Sequence, residues 1–180
     1  MASSIRERSR SGGLFIGRLV PESGVATLLE ALDLFAGARI DVVGTGPETA
    51  RLAAHPHVRV LGRASQQEVQ DRMRAAAYLV LPSLSYEALP RPLIEAFANG
   101  LPVIASRLGR LSEIVEPGRN GLLFEAGSAR DLARRLAWAE AFPEKMRQMG
   151  ECARADYQSR LVANWSHPKL FGERRRVARI

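Results

Sequence analysis

Two carboxylates eight positions apart, Glu87 and Glu95, flank a proline-rich step in Tyr86-Glu87-Ala88-Leu89-Pro90-Arg91-Pro92-Leu93-Ile94-Glu95-Ala96-Phe97. An apolar run over 78–82 precedes the step, and an apolar helical pattern over 93–98 follows it. The spacing predicts Glu87 on a loop at the carboxyl end of a strand and Glu95 in the first turns of the next helix. In open α/β sheets that crevice is where ligands bind. Helix amides and the helix dipole favour an anion there, and ionised carboxylates accept strong hydrogen bonds from hydroxyls. A ligand with an anionic centre and hydroxyls at both ends, such as a nucleoside diphosphate sugar, has the matching layout. On spacing alone, solvated acids at a helix start are the simpler explanation. The rest of the chain shifts that balance.

The elements that would position this pair alternate along the sequence. Gly13-Leu14-Phe15-Ile16-Gly17 is an apolar run predicting a buried strand. Val25, Leu28, Leu29, Leu32 and Phe35 then recur at helical spacing. Further strands are predicted over 39–44, 58–62, 77–82 and 102–106, with a short one over 122–124 after an Asn120-Gly121 turn. Helices are predicted over 48–54, 66–76, 92–98, 129–141 and from Pro143 to about residue 158. Ser65 with Glu68 three residues later forms a capping box in sequence, and Ser128 is a second cap. Glu113-Ile114-Val115 is expected to enter a turn. Continuous apolar strands alternating with helices imply an α/β domain, Rossmann-like, with three α/β/α layers and a parallel sheet of about six strands. The domain is expected over 13–159, between a disordered basic segment 1–12 and a basic tail 160–180.

Composition narrows the function classes. Hydrophobic residues make up 46% of the 180, and no apolar run approaches a membrane span. Residues 1–10 lack the apolar stretch of a secretory signal. The net charge of +7 sits at the ends: 1–10 carry +2 and 160–180 carry +5, leaving 17 basic and 17 acidic residues over 11–159. A nucleic-acid groove would put its charge on the folded body. No specific nucleic-acid partner is therefore expected, and the Arg174-Arg175-Arg176 run supports at most peripheral contact with acidic lipid. The single cysteine, Cys152, excludes an internal disulfide and is expected to be a small buried residue. His55 and His57 lack a third ligand nearby in sequence and are expected on the surface. Trp138 and Phe142 are expected in the core, and Arg134-Arg135 on a solvated face. Arg18, directly after a buried strand, favours an anion role.

Several features then follow in order: Gly17-Arg18-Leu19, Gly44-Thr45-Gly46-Pro47, the Glu87/Glu95 pair, Asn99-Gly100-Leu101-Pro102-Val103, Gly109, Glu113-Ile114-Val115, Pro117-Gly118-Arg119-Asn120-Gly121-Leu122 and Asp131-Leu132-Ala133. Each alone is weak. As a series over about 13–158 they closely resemble the C-terminal, donor-binding domain of the retaining family-four glycosyltransferases, one half of a GT-B fold. The GT-B nucleotide-sugar 2-epimerases share the architecture but fit the two-glutamate series less well.

The resemblance implies roles residue by residue. Arg18, beside Gly17, neutralises the donor pyrophosphate. Glu87 contacts the donor sugar hydroxyls, and Glu95 binds the ribose. Backbone amides around Ala88, Leu89, Pro90, Arg91, Pro92 and Leu93 hold sugar and phosphate. The nucleobase lies near Gly62, Arg63 and Ala64. Glu87 and Arg18 are the residues nearest the chemistry. No metal or other cofactor is expected, and the chain shows no Asp-x-Asp motif. Transfer in the family is thought to run through an ion-pair-like displacement on the donor's own face, with the leaving phosphate helping to deprotonate the acceptor.

Three positions depart from the family pattern. Ser23 stands where a lysine usually precedes Gly24, Ala88 stands where glycine is frequent, and Pro92 removes a backbone N–H. Losing one charge-assisted phosphate contact costs roughly 1.5–3 kcal/mol, ten- to a hundredfold in affinity. Arg91 would compensate if it folded over the phosphates. The family's acceptor-binding N-terminal domain has no counterpart in these residues. The expectation is therefore the donor half of a hexosyltransferase acting on a glycan or lipid-linked acceptor, as a piece of a longer chain or one subunit of a split enzyme. Its expected workplace is the cytoplasm or the inner face of a membrane. The alternative is a degenerate nucleotide-sugar-binding or interaction module without turnover.

Overall fold

The computed structural model describes residues 10–86 and 90–161. Six parallel strands, β1 (Gly13–Ile16), β2 (Ile40–Val43), β3 (Val58–Gly62), β4 (Tyr78–Leu81), β5 (Val103–Ser106) and β6 (Gly121–Phe124), lie in the order β3-β2-β1-β4-β5-β6. Seven helices join and cover them: α1 (Val25–Leu34), α2 (Thr49–Ala53), α3 (Gln66–Ala75), α4 (Arg91–Ala98), α5 (Gly109–Ile114), α6 (Ala129–Ala141) and α7 (Pro143–Asp156). A 3₁₀ turn at Pro21–Ser23 precedes α1, and a π-helical turn at Tyr157–Leu161 continues α7. The Rossmann-like expectation holds. The chain order reverses between β1 and β4, which pair side by side in register Gly13↔Tyr78 and Leu14↔Leu79. That reversal is the switch point at which such sheets open a crevice.

The period-2 alternation of the strands builds two cores. Phe15, Ile40, Val42, Tyr78, Val80, Ile104, Leu122 and Phe124 face one layer, with Leu28 and Leu32 of α1 and Leu132 and Leu136 of α6. Leu14, Val43, Leu79, Leu81, Val103, Ala105 and Leu123 face the other, with Met73 of α3, Leu93 and Phe97 of α4 and Leu111 of α5. Fully burying a ring such as Phe97 contributes about 1.5–3 kcal/mol. α7 belongs to both layers. Met146 and Met149 join the first core and Ala153 the second.

Local signals set the helix starts. Ser65 Oγ accepts from Glu68 N–H (3.3 Å), and Glu68 Oε2 accepts from Ser65 N–H (2.7 Å). The Ser65 amide holds the Glu68 carboxyl below its ordinary range. Ser128 caps α6 through Asp131 N–H. Three expectations need correction. The short stretch 109–114 is a helix rather than an approach to a turn. Phe142 is 48% exposed, although its ring lies 5.1 Å from that of Trp138. Cys152 is only partly buried. Residues 10–12, expected within a disordered segment, make bonds to the body of the domain. Arg10 donates to Asn99 O (2.7 Å) and Gly100 O (3.2 Å), and Ser11 N–H donates to Ala75 O. Residues 1–9 and the tail from 162 lie outside the described residues.

Candidate functional site

The crevice forms where β1 and β4 end. Gly17, Arg18, Ser23, Pro90 and Pro92 border a cavity of about 200 Å³, together with Phe15, Ile16, Leu81, Pro82, Ser83 and Leu111. Its walls are apolar and its rim is polar. Leu19 is fully buried next to Arg18, which is exposed and has no hydrogen-bond or ion-pair partner among the described residues. A buried neighbour on one side and solvent on the other leave the guanidinium available to a ligand.

Two helix starts meet at this cavity. Gly24, at the head of α1, has φ +78° and touches the chain after β4. A side-chain carbon there would sit 1.8 Å from Pro82 O. Leu84 N–H donates to Glu22 O (2.8 Å), tying the same two segments. Ser106 Oγ, fully buried at the end of β5, donates to Ser83 O (2.7 Å) and fixes the far wall. Neither α1 nor α4 has a side-chain cap or an acid in its first turn. The positive end of α1 is thus unneutralised by side chains and suited to an external anion. At α4, however, Leu93 N–H already donates to Pro90 O (3.0 Å), and Pro92 has no N–H.

The remaining expected residues lie elsewhere or outside the described chain. Glu87, Ala88 and Leu89 are outside the described residues. Glu95 is partly buried on α4 and accepts from Arg91 Nε (2.7 Å). Arg91 Nη2 also reaches Gln66 Oε1 (3.4 Å), so its guanidinium bridges α4 and α3 instead of folding over the cavity. Neither Arg91 nor Glu95 borders the cavity, and the Leu93 side chain is buried in the second core. Gly62 and Arg63 also lie beyond it. Nothing approaches within 4 Å of where a side chain on Gly62 would sit, so a flat ligand can lie against that main chain.

Two polar features went unrecognised in the sequence. Arg119 makes two hydrogen bonds to the Asp156 carboxylate (2.6 and 2.7 Å), and Asn120 Nδ2 donates to the same group (3.0 Å). The carboxylate raises the Arg119 pKa above its ordinary value, chiefly through these hydrogen bonds. The Pro117–Gly121 motif thus anchors the end of α7, a structural role. Tyr78, fully buried, donates to Glu140 Oε1 (2.6 Å), and burial first, then Glu140, pushes its phenol pKa well up. A larger depression of about 520 Å³ opens at the amino ends of β1–β3. Its Asp41 is already engaged by Arg59 (2.5 Å) and Arg72 (3.6 Å), and it lies at the edge opposite the switch point. His55 Nε2 donates to Asp33 (3.2 Å) and its Nδ1 accepts from His57 N–H (3.2 Å). No group of three His, Cys, Asp or Glu side chains suited to a metal occurs among the described residues.

The strand order, the crevice at its reversal and an exposed arginine at a cavity beside the uncapped starts of α1 and α4 define a doubly wound domain with a candidate ligand site at the switch point. The chain belongs to the glycosyl transferases group 1 family, whose pattern matches residues 12–156. It is 35% identical over 145 residues to an uncharacterized glycosyltransferase of Methanocaldococcus jannaschii, covering 77% of this chain and 41% of that protein. Its fold matches a crystal structure of Anabaena HepE in complex with UDP and glucose with a TM-score of 0.75 and 24% identity, over 87% of this chain and 45% of that one. The C-terminal domain of a glycosyl transferase group 1 family protein from Francisella tularensis matches with a TM-score of 0.70 and 20% identity, over 89% of this chain and 94% of that one. The chain therefore spans less than half of the Methanocaldococcus relative and nearly all of an isolated C-terminal domain. Among the described residues, no helix is long and apolar enough to cross a membrane.

Proposed function

We propose that this chain is the donor-binding half of a retaining hexosyltransferase that takes a sugar from a nucleoside diphosphate carrier. The observation that carries this reading is Arg18, exposed and unpaired among the described residues at a cavity flanked by two helix starts without first-turn acids. Arg18 and the helix dipoles neutralise the pyrophosphate and stabilise it as charge develops on departure, the role a metal plays elsewhere. Glu87 holds the sugar hydroxyls and Glu95 the ribose, once Arg91 yields it. The base lies against the main chain at Gly62 and Arg63. A separate Rossmann-like domain, in the same longer chain or a partner subunit, supplies the acceptor site. The acceptor is a glycan or a lipid-linked precursor of polysaccharide, met in the cytoplasm or at the inner face of a membrane. HepE, whose fold is similar, was crystallised with UDP and glucose, in keeping with this donor class.

Calorimetric titration with UDP, GDP, ADP and their common sugars tests the reading, with Arg18→Ala and Glu95→Ala as controls. Binding of one nucleotide, lost in both variants, is expected. Absence of binding at millimolar ligand overturns the reading for this chain. One observation favours a second reading, a module that keeps the fold without turnover: Leu93 N–H is committed to Pro90 O, Pro92 has none, and Arg91 is held by Glu95. Ser23→Lys separates the two. A rise from no detectable affinity marks a degenerate site, whereas micromolar affinity in the unaltered chain marks a working one.

A further inference from the structure

The end of β2 and the loop after it do not border the cavity, yet they hold the turn that carries Arg18 from behind. Gly17 N–H donates to Val43 O (3.1 Å), Leu19 N–H to Thr45 O (3.0 Å), and Glu48 N–H to Leu19 O (3.0 Å). The two glycines of Gly44-Thr45-Gly46 sit where the contact is closest. A side-chain carbon on Gly44 would lie 1.9 Å from Gly17 O, and one on Gly46 would lie 2.2 Å from Leu19 O. Both distances are far inside van der Waals contact. Both obstacles are main-chain atoms of the residues immediately before and after Arg18, so no side chain can swing away to relieve them. Gly44 also has φ +151°, where a side chain is strained in any case. Thr49 Oγ1 donates to Gly46 O (2.6 Å) and Gly44 N–H to Gly62 O (2.9 Å), anchoring this loop to α2 and β3.

We infer that Gly44-Thr45-Gly46 is a positioning element for Arg18. The three residues form a buttress that holds the Gly17-Arg18-Leu19 turn from behind and so fixes where its guanidinium meets the anion. The Arg18 side chain has no partner of its own among the described residues, so its direction depends on its backbone. That backbone is set by hydrogen bonds to the end of β2 at Val43 O, to the loop at Thr45 O and from Glu48 N–H just beyond it, and by the close approach of Gly44 and Gly46. A glycine-rich loop after a strand is usually taken as a phosphate cradle. Here the close approach that the glycines permit is to the protein's own chain. The inference rests on the assignment of Arg18 to the donor pyrophosphate only for its effect on binding. Its structural half stands apart.

The experiment has two arms. In the first, amide hydrogen exchange compares the unaltered chain with Gly46→Ala and with Glu48→Pro. The second variant removes the N–H that donates to Leu19 O at a residue whose φ of −81° suits proline, and sets the proline ring against Leu19 O in its place, so it displaces the turn from a second side. Leu19 exchange is expected to accelerate in both variants while Phe15 and Val80 keep their protection. Unchanged Leu19 exchange in both overturns the inference, whatever the ligand. In the second arm, the nucleotide found by titration is compared with its nucleoside. Gly46→Ala and Glu48→Pro are each expected to weaken the diphosphate about tenfold, the effect of misplacing one charged contact. The nucleoside is expected to bind all of them alike. Combining Gly46→Ala with Arg18→Ala should cost no more than Arg18→Ala alone. Full additivity, or equal loss for nucleoside and diphosphate, would overturn the positioning role. If the unaltered chain binds no nucleotide, the donor-site reading fails, and the exchange arm alone decides whether the loop sets the turn.

Discussion

Arg91 lies on Glu95, Nε to Oε1 at 2.7 Å one helical turn away, and so occupies the carboxylate that the family resemblance assigns to the ribose. Arg91 is 70% exposed and Glu95 20%, so water screens the pair. An exposed pair at this spacing is worth about 0.3–0.5 kcal/mol. A ribose can displace it. Arg91→Ala is therefore expected to leave stability nearly unchanged, and nucleotide affinity equal or slightly higher. Denaturant titration and calorimetry check both. A tenfold loss of nucleotide affinity would instead put Arg91 over the phosphates.

Arg18 is exposed and makes no bond within the described protein, so its removal costs the fold little. Arg18→Ala should leave the melting temperature within about 2 °C. It should lower nucleoside diphosphate affinity about ten- to a hundredfold and nucleoside affinity hardly at all. A comparable loss for both ligands would mean that Arg18 shapes the site instead of contacting phosphate.

Asn120 is 1% exposed and serves three partners: Glu116 N–H, Ile114 O and Asp156. Asn120→Ala strands buried polar groups at the junction of β6 and α7. A loss of about 2–3 kcal/mol is expected in urea unfolding. Asn120→Asp should also destabilise, because a second carboxylate would then face Asp156. A neutral result for both would deny the anchor.

Tyr78 carries the alkaline prediction. Its folded pKa is raised above the unfolded value by burial and by Glu140. Stability from this group is complete below the unfolded pKa of about 10 and declines above it, because only the unfolded chain releases the proton there. The slope is about 1.4 kcal/mol per pH unit. Tyr78→Phe should flatten that part of the stability profile above pH 10. The Tyr78 share of the phenolate absorbance should appear only as the chain unfolds.

The layered fold was legible because each strand is a short apolar run and each long helix carries its own cap or spacing. Ser65 with Glu68 and Ser128 with Asp131 announce starts within four residues. α5 escaped because six residues with only Leu111 buried leave no period to detect. Within the site, Gly17, Arg18, Ser23, Pro90 and Pro92 could be named because they follow strands or open helices. The Arg91–Glu95 pair was also legible, at i,i+4, but its meaning depends on which way Arg91 turns. The clamp on Asp156 was not, since Arg119 is 37 positions away and only the packing of α7 brings them together. The close approach of Gly46 to Leu19 likewise exists only in three dimensions.

The course of α7 has one more consequence. Its first half packs with α1 and α6 under one face of the sheet, and Ala153 closes the core on the other face. Beside the sheet itself, α7 thus ties the two cores together, and they should melt as one cooperative unit. Loosening the far end of α7 would turn that single transition into two steps, with the face bearing α4 released first. Since α4 also bears Glu95, the end of α7 sets how often the helix carrying that carboxylate frays.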